Sequence, residues 1–195
     1  MSQAKKSTRR GPLIALVLAV LLVAGAVLAV PVSRQVQRLL YPVRYAKSVE
    51  RWAAEYELDP YLVYAFIRTE SSFNPKAESS AGARGLMQMT SDTFDWLKGR
   101  IAPQDPLSYD DLYDPDQAIR FGSYFISICL ERYGGDTQTA AAAYHSGWGT
   151  VDGLLASAEY SVDTQKLNTF PYSQMRHYVA KIQSNYQKYL DLYQT

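Results

Sequence analysis

The chain alternates between stretches of helical hydrophobic spacing and short polar punctuation. Tyr45, Val49, Trp52, Ala53 and Tyr56 recur at three- and four-residue intervals, which predicts a helix with one apolar face. Asp59-Pro60 follows, an N-cap residue with proline at the first helical position. Leu62, Val63, Phe66 and Ile67 then predict the apolar face of a second helix, ended by Ser71 to Pro75. Gly82 to Gly85 reads as a loop, and Thr90 to Leu97 as a short helix. Pro103 to Pro115, rich in proline and aspartate, predicts an extended surface loop. Ala118, Phe121, Gly122, Phe125, Ile128 and Cys129 lie on one side of a long helix that Gly134-Gly135 stops. Asp136 caps a helix from Thr137 to about His145, which contains four consecutive alanines and which Gly147 and Gly149 close. A last helix spans Ser173 to Tyr193, with Met175, Tyr178, Val179, Ile182, Tyr186 and Leu190 as its buried stripe. Strand alternation and internal repeats are not evident, so the fold class is mainly α.

Ahead of these patterns the chain changes character. Leu13 to Val30 is an unbroken run of 18 residues drawn from Leu, Ile, Val, Ala and one Gly. A spanning helix takes roughly 17–25 apolar residues. Lys5, Lys6, Arg9 and Arg10 precede the run, and basic flanks stay on the cytoplasmic side. The expected organisation is a cytoplasmic basic segment over 1–12, a transmembrane anchor over 13–30, a tether over 31–41 and a folded domain over 42–195. This places a single-pass protein in the cell membrane with its domain on the extracytoplasmic side. A cleaved signal peptide is the competing reading, because Ala24-Gly25-Ala26 offers a small-x-small site, although cleavage there falls inside the run. Val32, Val36, Leu39 and Leu40 give the tether the pattern of a brief amphipathic helix.

Charge and cysteine content exclude several classes. Setting aside the four N-terminal positive charges leaves 16 of the 20 basic residues against 19 acidic ones. The folded part is thus slightly acidic, which argues against nucleic acid as a partner. Cys129, the one cysteine, cannot form an internal disulfide, and no Cys/His cluster suggests a metal. No cofactor is expected. The 16 tyrosines suit helix faces that are partly wet, and a carbohydrate cleft is also lined by such rings.

The residue where pattern meets chemistry is Glu70. It follows Ile67 by three positions and Phe66 by four, so it shares their helix face at the C-terminal end of the second helix. Desolvation and the negative end of the helix dipole both disfavour the anion. A carboxyl that stays protonated near neutral pH is what a general acid for glycosidic cleavage requires. On position alone, a structural glutamate, buried against a loop or facing solvent at a helix end, is the favoured reading of Glu70.

The surrounding residues decide between these readings. Glu70-Ser71-Ser72-Phe73-Asn74-Pro75-Lys76-Ala77-Glu78-Ser79 leads into Gly82-Ala83-Arg84-Gly85-Leu86-Met87-Gln88. This closely resembles the signature E-S-x-F-x-P-x-A-x-S, then G-A-x-G-L-M-Q, of the soluble-lytic-transglycosylase (SLT) domain family, which has the goose-type lysozyme-like fold. Ala142 to Gly147 resembles the family's A-A-Y-N-A-G, and Pro171 to Val179 its P-Y-x-E-T-R-x-Y-V. The resemblance implies a peptidoglycan lytic transglycosylase, preceded here by one transmembrane helix, with peptidoglycan glycan strands as its partner. Protein partners are not indicated.

By that resemblance Glu70 is the sole catalytic acid/base. Ser79, Gln88, Tyr144, His145 and Tyr178 match positions that border the saccharide, Ser79 near the glutamate and Tyr178 with its hydroxyl near the carboxyl. The chain departs from the family at Met89-Thr90-Ser91 in place of L-M-P, at His145 in place of Asn, at Trp148 in place of Pro, and at Gln174-Met175 in place of Glu-Thr. Two alternatives stay open. A goose-lysozyme-like hydrolase needs a second carboxylate, for which Asp92, Asp95 and Asp152 are the nearest candidates. A non-catalytic peptidoglycan-binding module needs none.

Overall fold

A computed structural model describes residue 18 and residues 34–194. The anchor expected over 13–30 and the basic segment before it therefore lie, apart from Leu18, outside the described residues. Among the described residues no helix is long and apolar enough to cross a membrane. The chain divides into two compact units, Met1–Pro42 and Val43–Thr195. In the first, residues 34–40 are helical, with Leu39 and Leu40 exposed.

The second unit is built from helices: α1 (Ala46–Glu55), α2 (Pro60–Ser71), α3 (Ser91–Ile101), a 3₁₀ turn (Tyr109–Tyr113), α4 (Pro115–Arg132), α5 (Thr137–Ser146), α6 (Trp148–Leu155) and α7 (Ser173–Tyr193). Helix α2 is the central element. Leu62 to Ile67 are all buried, so the helix is enclosed on every side through its middle turns rather than on the single face its apolar spacing predicts. It packs against α1 and along α7. Its start is fixed chemically: the Asp59 carboxylate accepts from the Tyr61 backbone N–H at 2.8 Å. The same carboxylate accepts the Tyr186 hydroxyl at 2.6 Å, which ties the start of α2 to α7.

Helix α5 is the second inner element and lies against α4, α6 and α7. Ala140, Ala141, Ala142 and Ala143 are all fully or almost fully buried. Their methyl groups let three neighbouring helices approach together, which larger side chains would prevent. The buried Thr139 hydroxyl accepts from the Leu167 N–H at 2.9 Å and pins the loop that leads toward α7.

Four expectations are corrected. Helix α3 runs on to Ile101, past the expected end at Leu97, and Thr90 caps it by accepting from Thr93 N–H. The stretch 103–115 is not wholly extended, since Tyr109–Tyr113 forms a 3₁₀ turn. Gly147 does not simply end a helix: at φ 81° it closes α5 and starts α6 at once. In α7 the buried stripe continues through Asn185, Tyr189 and Leu192, leaving Tyr186 and Leu190 half-buried. The stripe bends because Tyr186 turns its hydroxyl out to Asp59 while Tyr189 fills the core against Tyr64, ring centroids 5.4 Å apart.

Candidate active site

Glu70 lies in the last turn of α2, and the chain turns sharply just after it. Ser72 and Phe73 both adopt positive φ, 50° and 66°. That conformation is uncommon for any side chain and strained for a bulky one. Phe73 is held in it by burial, at 2% exposure, with its ring 6.3 Å from that of Tyr64. The turn ends the helix beside the cleft and sends residues 77–89 back across its mouth.

That segment folds as a small knot. The Ser79 N–H donates to the Ala83 carbonyl at 3.0 Å, and Arg84 and Met89 exchange backbone hydrogen bonds behind them. Gly85 has φ 74°, and a Cβ there would lie 2.0 Å from the Leu112 carbonyl oxygen, so only glycine fits. The Tyr109 hydroxyl lies between the carbonyl oxygens of Gly82 and Met89, at 2.6 and 2.9 Å. Arg84 stacks over Tyr109 at 4.4 Å and pairs with Asp110 and Glu78. The two acidic partners are exposed, so these ion pairs contribute about 0–1 kcal/mol each and the ring contact does the shaping.

Between the knot and the helices lies a cleft of about 310 Å³, lined by Glu70, Ser79, Gln88, Tyr144 and His145 among others. Five of the six residues singled out from sequence thus meet on its wall. The sixth, Tyr178, stands behind it. Its hydroxyl donates to Oε1 of Glu70 at 2.5 Å, and the His145 ring stacks on its face at 4.4 Å. Sequence reasoning missed Thr93 and Phe125, which also line the cleft. They come from α3 and α4, and no local pattern marks them.

The carboxyl of Glu70 is the electrostatic centre. Burial raises its pKa from 4.5 to about 7, opposed by the Tyr178 hydrogen bond and by the charge of Lys181. Lys181 donates to the Thr69 carbonyl at 3.2 Å, and so sits beside the end of α2. The hydroxyls of Tyr144 and Tyr178 are pushed well above the usual tyrosine range, first by burial and next by the charge of Glu70. Both remain donors at any ordinary pH. Tyr144 donates to the Met87 carbonyl at 2.9 Å. Burial lowers the pKa of His145, which is neutral at neutral pH.

Two side chains differ in detail from their expected use. A free Gln88 amide at the saccharide border could both donate to a sugar and accept from it. Its Nε2 instead donates to the carbonyls of Ala77 and Gly85, each at 3.1 Å. Two carbonyl partners fix the amide orientation, so Gln88 offers the cleft only its carbonyl oxygen. The Ser79 oxygen accepts from the Ala83 N–H at 3.0 Å and makes no hydrogen bond to Glu70.

Among the described residues no other carboxylate lines the cleft. Asp92 and Asp95 are exposed on α3, and Asp152 is held by Arg132 and by the Tyr133 hydroxyl. A larger, open groove of about 810 Å³ lies between the α1–α2 link and the end of α4. The smaller cleft, which holds the buried Glu70 carboxyl, is the candidate site.

Comparison with known proteins agrees with this geometry. The family model described as "Transglycosylase SLT domain" matches residues 47–167. The transglycosylase of Enterobacteria phage PRD1 is 40% identical over 105 residues, 54% of this chain and 36% of the phage protein. The membrane-bound lytic murein transglycosylase C of Yersinia pestis (strain Pestoides F) is 32% identical over 173 residues, covering 75% of this chain and 47% of that protein. Among solved structures, an inactive mutant of the lytic transglycosylase Slt from Pseudomonas aeruginosa superposes with a TM-score of 0.69 at 27% identity, over 79% of this chain and 25% of that one. The chain spans 22% to 47% of the length of the curated relatives it matches. The matched segment carries the Glu70 turn, the glycine knot and the alanine helix, and on these grounds the chain belongs to the transglycosylase SLT domain family.

Proposed function

We propose that the protein is a peptidoglycan lytic transglycosylase that cleaves the β-1,4 bond between N-acetylmuramic acid and N-acetylglucosamine. The observation that carries this reading is a single carboxyl in the cleft, poised near pH 7, with a tyrosine hydroxyl on one oxygen. Protonated Glu70 donates its proton to the leaving glycosidic oxygen. The Tyr178 hydroxyl stabilises the carboxylate as it forms. The carboxylate then takes the proton of the muramyl C6 hydroxyl while that oxygen bonds to C1 of the same sugar. The proton returns to Glu70, a 1,6-anhydromuramyl end forms, and no water is consumed. A retaining or inverting glycosidase would need a second carboxyl at about 5–5.5 Å or 6.5–9.5 Å. Among the described residues the cleft wall supplies none, which favours the lyase over the hydrolase. In this reading Ser79, Gln88, Tyr144 and His145 contact the saccharide, and Gln88 does so as an acceptor.

The same proposal anchors the enzyme by residues 13–30, single-pass, with the catalytic domain outside the membrane. The unbroken apolar run behind four basic residues supports it. Mass spectrometry of fragments released from purified peptidoglycan tests the chemistry, run beside Glu70→Gln. Anhydromuramyl ends from the wild type and none from the variant are expected. Reducing ends would establish a hydrolase, and no release by the wild type would overturn the enzymatic reading.

A further inference from the structure

Two tryptophans beside the cleft are not used by the chemistry described above. Trp96 on α3 is 37% exposed, and Trp148 at the start of α6 is half-buried. Their rings meet edge to face, centroids 5.2 Å apart at 89°. Trp96 also meets Phe125 at 6.1 Å, and Phe125 lines the cleft. Each tryptophan lies three residues beyond a cleft-lining residue, Trp96 after Thr93 and Trp148 after His145. Thr93 and Trp96 share one face of α3. The aromatic surface is therefore a continuation of the cleft wall rather than a separate patch.

Both rings are held in place. The Trp148 indole N–H donates to Cys129 Sγ at 3.3 Å, and the Arg132 guanidinium lies 4.8 Å from its ring. Arg132 is itself held by Asp152. The Arg100 guanidinium lies 4.6 Å from the Trp96 ring. Fixed rings lose little freedom when a ligand stacks on them. An indole that keeps a third of its surface in water forfeits part of its burial energy, and such exposed apolar surface beside a cleft marks a binding site.

We propose that Trp96 and Trp148 form a further saccharide subsite, against which a sugar ring of the glycan strand stacks where it leaves the cleft past Phe125. The apolar C–H face of a pyranose suits an indole, and its hydroxyls stay in water at the rim. The platform rests on the glycan-cleaving reading of the site and adds to it a preference for strand length. A disaccharide fills the cleft at Glu70, whereas a longer strand also reaches the tryptophans.

The test uses the full chain carrying Glu70→Gln, which binds without cutting, and peptide-free glycan oligomers from disaccharide to octasaccharide. Trp52, the third tryptophan, is buried with its N–H bonded to Asp116 at 3.1 Å, so changes in tryptophan emission report the platform. The octasaccharide is expected to bind about tenfold more tightly than the disaccharide, or about 1.4 kcal/mol. Trp96→Leu keeps apolar bulk against Phe125 and removes the flat ring; in the Glu70→Gln background it brings the octasaccharide down to the disaccharide's affinity. Trp148→Phe supplies a second reading should the first variant fail to fold, and lowers the same ratio. An unchanged ratio in a folded variant overturns the platform while wild-type release of anhydromuramyl ends leaves the catalytic reading standing. No binding of any oligomer together with no wild-type release overturns both.

Discussion

Replacing Tyr178 by phenylalanine removes one oxygen and leaves the ring's contacts with Phe66 and His145 in place. The lost hydroxyl donates to Glu70 at 2.5 Å and draws the carboxyl pKa down against the burial that holds it near 7. A hydrogen bond to a charged group is worth about 1.5–3 kcal/mol. The sign follows from which form the hydroxyl prefers. It donates to the carboxylate, so its removal lets Glu70 keep the proton to higher pH. Glu70 becomes a carboxylate as the glycosidic oxygen takes the proton, so the same energy is missing from the transition state. Each 1.36 kcal/mol is about tenfold in rate. Tyr178→Phe therefore lowers kcat by roughly 10- to 100-fold near pH 7. It also moves the alkaline limb of the pH–rate profile upward. Release of soluble muropeptides, followed between about pH 5 and 9 beside a thermal melt, reads both effects. A variant with the wild-type rate and an unmoved limb would show that the hydroxyl does not act on Glu70.

The same carboxyl makes stability depend on pH. Because its pKa rises from 4.5 to about 7 on folding, the folded chain holds a proton between those values that the unfolded chain has released. Its favourable contribution is complete below 4.5 and is lost as pH rises through about 7, with an upper bound of about 3 kcal/mol. Glu70→Gln should accordingly melt higher than wild type at about pH 8, with the gap closing toward pH 4.5; a gap independent of pH would refute the linkage. Gly85→Ala forces a Cβ to within 2.0 Å of the Leu112 carbonyl at φ 74°. A loss of about 3 kcal/mol or more in denaturant unfolding is expected, and a neutral effect would mean the knot is not packed as described.

What sequence reveals about this site depends on how local each device is. The start of α2 is legible because Asp59 and Pro60 act within three residues of themselves. Glu70 is legible because its signature is contiguous with the turn that presents it. Helix α6 is hidden by its two glycines, although Val151, Leu154 and Leu155 carry helical spacing. Gly147 reads as a terminator, and it is one for α5, but the same residue opens the next helix. The use of Gln88 is not local either. Which hydrogens its amide has left depends on carbonyls eleven and three residues away. Phe125 and Thr93 reach the cleft only through the packing of α3 on α4.

The pairing of Glu70 with Tyr178 spans 108 positions of the chain. A nascent polypeptide on the ribosome carries the acid long before it carries the hydroxyl that tunes it. Burial of α2 along α7 also waits for that late segment. The tuned acid thus comes into being with the final docking event, and a product shortened ahead of Tyr178 by proteolysis or premature termination retains the signature glutamate without it. For a protein whose proposed target is the wall that contains the cell, assembly order itself acts as a safety interlock.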